Sequence, residues 1–159
     1  MEARADVTTD SREQLLAEAY CLRAFVHFDL INLYAKWYDP ATAATDKAVP
    51  LSLKIDIGQS FIPTTVEKVY EQVFADLQEA EKYMQVEQQT GAYLYRFSKK
   101  ALKAFQARVY LYHQDWKQAQ ETAESLLAAC PLEDLTTTEA QPWTYTSKEA
   151  ILALETVSS

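Results

Sequence analysis

The chain has 159 residues, 48% of them hydrophobic, and a formal net charge of −8. That length and apolar share support one domain with a packed core and exclude a disordered chain, while the acidic balance excludes a nucleic-acid or anionic-membrane surface, both of which need a basic face. Two glycines and five prolines are too few for a turn-rich sandwich or barrel, which points to an all-α protein.

The opening MEARADVTTDS is polar and lacks the apolar stretch of a secretory signal. No run approaches the ~18 apolar residues of a membrane span. A first helix is expected over about 11–37. Ser11 caps its first turn and Gln14 reaches back in a capping box. Leu15, Ala19, Leu22, Val26, Leu30, Leu33 and Trp37 follow helical spacing, with Cys21, Phe25 and Phe28 as a second apolar line. An arc that wide implies neighbours on more than one side.

From Asp39 to Pro63 the periodicity is lost and Pro40, Pro50, Gly58 and Pro63 punctuate a long loop. A second helix is expected over about 64–86, starting at Thr64 with Glu67 completing a capping box. Its stripe is Val66, Val69, Val73, Leu77, Ala80 and Met84; Glu71, Asp76 and Glu79 read as a solvated flank.

A polar connection leads to a third helix over about 98–113. Its close-packing side is Ala101, Ala104, Ala107 and Leu111, with Leu102, Phe105 and Val109 beside it. Asp115 caps a fourth helix over about 115–130, which Trp116 opens as a packing residue. Within ARVYLYHQDWKQAQETAESLLAACP, Ala107, Tyr110, Ala119, Ala123 and Pro131 match the register of the second half of a tetratricopeptide unit, although Lys103, Gln106 and Ala123 depart from its pattern. The tail segment SKEAILALE reads as a short C-terminal strand. The expected fold is therefore all-α, with tetratricopeptide-like stacked antiparallel helix pairs and a long loop insertion. Such scaffolds usually bind rather than catalyse.

No catalytic constellation is present. His27 and His113, the only histidines, have no Cys, Asp or Glu at ligand spacing and read as core or edge residues, so no metal or cofactor is expected. Two glycines cannot make a phosphate cradle. Cys21 and Cys130 read as buried thiols, and their disulfide state does not follow from spacing. Glu18 and Arg23, on an otherwise apolar helix, with Arg108 on the third, are expected to form a structural ion network, because a buried arginine needs a partner. Trp37 and Tyr38, which lead into the long loop, and Trp143 and Tyr145 in the polar tail are the candidate ligand contacts, since aromatic faces stack on sugar C–H surfaces. The competing reading of Trp37 is that it finishes the first helix's core stripe.

The ordered blocks AEAYCLRAFVHFDLINLYA, VPL at Val49–Leu51, PTTVEKVYEQVFADLQEAEKYM, FSKKALKAFQARVYLYHQDWKQAQETAESLL and SKEAILALE resemble the SusD/RagB-type nutrient-binding lipoproteins of the Bacteroidetes outer membrane. Ala35 stands where that family usually has glycine, and Ile62 and Pro63 where it often has arginine. The resemblance implies a non-catalytic nutrient-capture component, with an oligosaccharide or other nutrient as ligand, docking on a TonB-dependent, SusC-like transporter at the cell surface. It also implies that the single domain of residues 1–159 is the helical core of a larger protein, whose lipid anchor and long C-terminal ligand-binding region lie outside it. A soluble tetratricopeptide adaptor for a peptide partner and an accessory domain of a carbohydrate-active enzyme are the alternatives.

Overall fold

A computed structural model describes residues 11–55, 58, 61–130, 132, 136, 147 and 149–154. Among the described residues four α-helices follow in order: α1, Arg12–Tyr34; α2, Val66–Tyr83; α3, Lys99–Tyr112; α4, Trp116–Ala129. A short 3₁₀ turn, Gly91–Tyr93, lies between α2 and α3. α1 runs antiparallel to α2, as the matched pairs Gln14 with Gln85, Arg23 with Asp76 and Phe28 with Tyr70 show. α3 and α4 form the second pair, and α2 touches α3 only lightly. The all-α stacked-pair architecture is the one expected.

The helix starts follow from local chemistry. Ser11 Oγ accepts from Gln14 N and Ser98 Oγ from Ala101 N, each satisfying an orphan donor of a first turn. The second helix is capped by Thr65, not Thr64, with Thr65 Oγ1 accepting from Lys68 N at 3.4 Å. Thr64 is occupied instead by the loop, its carbonyl accepting from Ala48 N and its amide donating to Val49 O. Asp115 precedes α4, but its carboxylate makes no cap bond and lies 3.5 Å from His113 Nδ1.

The capping box expected at α1 is only half formed, because the Gln14 amide turns inward. Gln14 is fully buried. Its Oε1 accepts from Gln85 N and Val86 N, and its Nε2 donates to Glu18 Oε1 and Phe97 O. One side chain thus fastens the start of α1 to both ends of the connection before α3.

The expected α1 stripe is the wrong face. Ala17, Cys21, Ala24, Phe28 and Ile31 are buried, whereas Leu15, Leu22, Val26, Leu33 and Trp37 are at least half exposed and Leu30 is half-buried. Ala17, Cys21 and Ala24 are small, which lets α2 pack against the first half of this face with Val66, Val69, Val73, Leu77 and Ala80, as its pattern predicted. α1 also ends at Tyr34, since Ala35 is extended, so Trp37 is outside the helix.

On α3, Ala101, Leu102, Phe105 and Val109 are buried, while Ala104 and Ala107 are half-buried and Leu111 is exposed. Trp116 is exposed rather than packed.

The described first part of the long loop, residues 39–49, is folded against the helices. Asp39 Oδ1 accepts from Ala41 N, Asp46 O accepts from Val66 N, and Ala43 and Val49 are buried. An isolated antiparallel bridge joins Lys47 and Thr65. Residues 149–154 do not form the expected strand: Ala153 N donates to Leu94 O, and Ile151 and Leu152 pack against the core without a strand partner among the described residues. Pro131 lies outside the described residues.

Candidate ligand-binding surface

The C-terminal end of α1 and the first residues of the loop bring aromatic side chains together beside the turn that joins α3 to α4. Tyr38 lies with its ring 4.0 Å from His113 and 5.2 Å from Tyr70. His113 also meets Phe74 edge-on at 5.0 Å, and Phe74 stacks on Tyr110 at 5.2 Å. The turn is shaped by Gln114, whose φ of 66° is left-handed and whose Nε2 donates to Tyr38 O at 2.7 Å. Tyr38 is therefore a clamped ring.

Trp37 differs from it in every respect. It is 86% exposed, which removes it from the core, and Tyr34 beside it is 73% exposed. Lys36, between them, pairs with Asp46 at 2.6 Å and ties this corner to the loop. Trp143 and Tyr145 lie outside the described residues.

Burial raises the phenols of Tyr38 and Tyr110 above their ordinary range and pushes Tyr70 up to about 12, so the cluster is neutral. An uncharged aromatic patch with one free indole can stack on the apolar face of a ring and donate hydroxyl hydrogen bonds. Among the described residues, no three His, Cys, Asp or Glu side chains stand close enough to hold a metal, and no helix is long and apolar enough to cross a membrane. Cys21 is buried, its thiol pushed up to about 12 by burial first and by Glu18 and Asp76 next; Cys130 is half-buried, and both are free thiols.

Glu18, Arg23 and Arg108 do not meet. Arg23 makes a bidentate pair with Asp76, at 2.8 and 2.6 Å. Glu18 pairs with Arg96 at 3.0 Å. Arg108 is exposed on α3. Sequence reasoning missed Asp76 and Arg96 as the partners. Asp76 is only 1% exposed, not part of a solvated flank, and its position was signalled by register: it stands three residues after Val73 and seven after Val69.

Both histidines are held below the ordinary 6.5, chiefly by burial. Arg23 adds to the effect at His27, while Asp76 opposes it there and Asp115 opposes it at His113. The unfolded chain takes up these protons near pH 6.5, the folded chain only at lower pH. Their contribution to stability is thus complete above about 6.5 and is lost as pH falls toward the folded values. Urea midpoints are expected to fall between about pH 7.5 and 5.5, and the pair of substitutions His27→Gln and His113→Gln should flatten that slope. A midpoint that rises on acidification contradicts this account.

Comparison with known proteins places this arrangement. A SusD-like family model, described as starch-binding associating with outer membrane, matches residues 1–111. SusD-like protein P38 of Formosa agariphila is 32% identical over 120 residues, covering 73% of this chain and 21% of that protein. A SusD superfamily protein from Bacteroides vulgatus superposes with a TM-score of 0.65 at 28% identity, over 74% of this chain and 26% of that one. A SusD-like carbohydrate binding protein from the same species superposes with a TM-score of 0.71 at 22% identity, over 89% and 30%. The chain thus spans between a fifth and a third of the length of these relatives. It belongs to the SusD-like family.

Proposed function

We propose that this chain is the helical core of a longer SusD-like protein that captures an oligosaccharide at the outer membrane, without chemistry on it, and docks on a TonB-dependent, SusC-like transporter. The family match across residues 1–111, on a fold of stacked helix pairs, carries the reading. The ligand class follows from the family's starch-binding description, and the free indole of Trp37 beside the clamped Tyr38 gives a surface suited to a sugar face. Trp143 and Tyr145 complete the proposed set of contacts.

The test is a titration of the full-length protein with a panel of oligosaccharides, starch fragments first, followed by tryptophan fluorescence and calorimetry. Saturable binding is expected, and Trp37→Ala should weaken it about fivefold, the loss of roughly 1 kcal/mol of apolar burial and dispersion. The 159-residue chain alone should respond little. A full-length protein indifferent to every sugar in the panel would overturn the reading; binding unchanged by Trp37→Ala would remove that residue from the site.

A further inference from the structure

α1 is apolar on two opposite sides. Its inner face, built on Ala17, Cys21, Ala24 and Phe28, lies against α2. On the other side Leu15, Leu22, Val26 and Leu33 are 50, 54, 52 and 71% exposed, with Ala19 and Asp29 exposed in the same line. The intervals along 15, 19, 22, 26, 29 and 33 alternate four and three. That alternation is the heptad seam into which a second helix packs at a shallow angle, knobs into holes. Beside it, Leu22, Val26 and Leu30 face Pro50 and Phe61 across a recess of about 480 Å³, so the loop supplies a wall to the seam.

We propose that this seam seats one helix of the same polypeptide from outside these 159 residues, apolar along one stripe and carrying a Lys or Arg where it crosses Asp29. The proposal rests on the reading of the chain as the core of a longer protein. Relatives it matches are about three to three and a half times as long, which supplies the chain to lay there, given that the matched parts cover only 21 to 30% of them. Contiguous exposed apolar surface of this kind is rare on a finished monomer. A second copy of α1 fits the seam badly. Parallel pairing sets Asp29 against Asp29, and antiparallel pairing about the middle of the helix sets it among Leu15 and Ala19. Either way a carboxylate loses water without gaining a cation. A tethered helix, in contrast, occupies the seam without the translational cost of association.

The experiment measures maleimide labelling of Leu22→Cys, and separately Leu33→Cys, in a Cys130→Ser background, in the full-length protein and in the 159-residue chain. The buried Cys21 serves as the folding control, since it stays unlabelled in any folded sample. Labelling is expected to be at least about tenfold slower in the full-length protein at every concentration. Asp29→Lys should raise the full-length rate and leave that of the 159-residue chain unchanged. Equal rates in the two chains, with Cys21 protected, overturn the proposal; protection of the 159-residue chain that grows with its concentration overturns it in favour of a second copy. Because the readout contains no sugar, loss of oligosaccharide binding and loss of this seam are separately visible.

Discussion

Phe28→Ala is expected to lower stability by about 3–5 kcal/mol, enough to leave a domain of ordinary stability barely folded. Phe28 is 3% exposed and is the ring at which three helices meet. It stands edge-on to Tyr70 of α2 at 6.4 Å, and to Phe105 and Tyr112 of α3 at 5.5 and 5.3 Å. Truncation removes its transfer free energy, three ring contacts of about 0.5–1.5 kcal/mol each, and leaves a void that rigid neighbours fill poorly. α2 and α3 touch only lightly, and the Phe74–Tyr110 stack that also joins them replaces only part of this contact. Urea unfolding monitored by circular dichroism gives the value, and a loss under about 1 kcal/mol would show that the pairs are held together elsewhere. Trp37→Ala, at an exposed site, should stay within about 0.5 kcal/mol of the parent.

The second large effect is electrostatic and asymmetric. Arg23→Met is expected to cost about 2–3 kcal/mol, because it leaves Asp76 buried with only the Gln72 amide, at 2.8 Å, to replace two guanidinium bonds. The figure sits below the about 3–5 kcal/mol of a fully buried pair because the Arg23 side chain is 34% exposed and water screens part of the attraction. Methionine keeps the packing of the arginine stem, so the loss reports the charge. Adding Asp76→Leu should restore most of it, since the uncompensated carboxylate is then gone. Arg108→Met should change stability by less than about 0.5 kcal/mol. If Arg108→Met costs as much as Arg23→Met, the division of the ion pairs described above is wrong.

The four helices were legible because each carried its own punctuation. Ser11 is a cap in the sequence and in the structure, and the stripe from Val66 to Ala80 faces inward as its spacing requires. What failed was the choice of face on α1. Leu15, Leu22, Val26 and Leu33 are larger and more regular than Ala17, Cys21 and Ala24, so periodicity alone selects them. Yet burial beside α2 depends on close approach, and small residues permit that where leucines would hold the backbones apart. The partners of the ion pairs were missed for a related reason. That Glu18 and Arg23 needed partners was visible, but Asp76 and Arg96 lie 53 and 78 residues away, and only the packing angle selects them over Arg108. At the candidate site, helical spacing offered Trp37 rather than Tyr38 as a core residue, whereas Trp37 is 86% exposed and Tyr38 half-buried. Their different exposures arise from Ala35 leaving the helix and from Gln114 fastening Tyr38, both outcomes of tertiary context.

The inward turn of the Gln14 amide has a mechanical consequence. The connection it grips, at Gln85, Val86 and Phe97, is the strap between the two helix pairs, and direct contact between α2 and α3 is slight. The tilt of one layer on the next is therefore set at this strap as well as at the Phe28 rings, by one uncharged side chain whose bonds to the strap are to backbone amides and a carbonyl, while its bond to Glu18 ties it to an ion pair. The two helix pairs are thus fastened mainly through backbone groups, whose hydrogen bonds salt screens far less than exposed ion pairs.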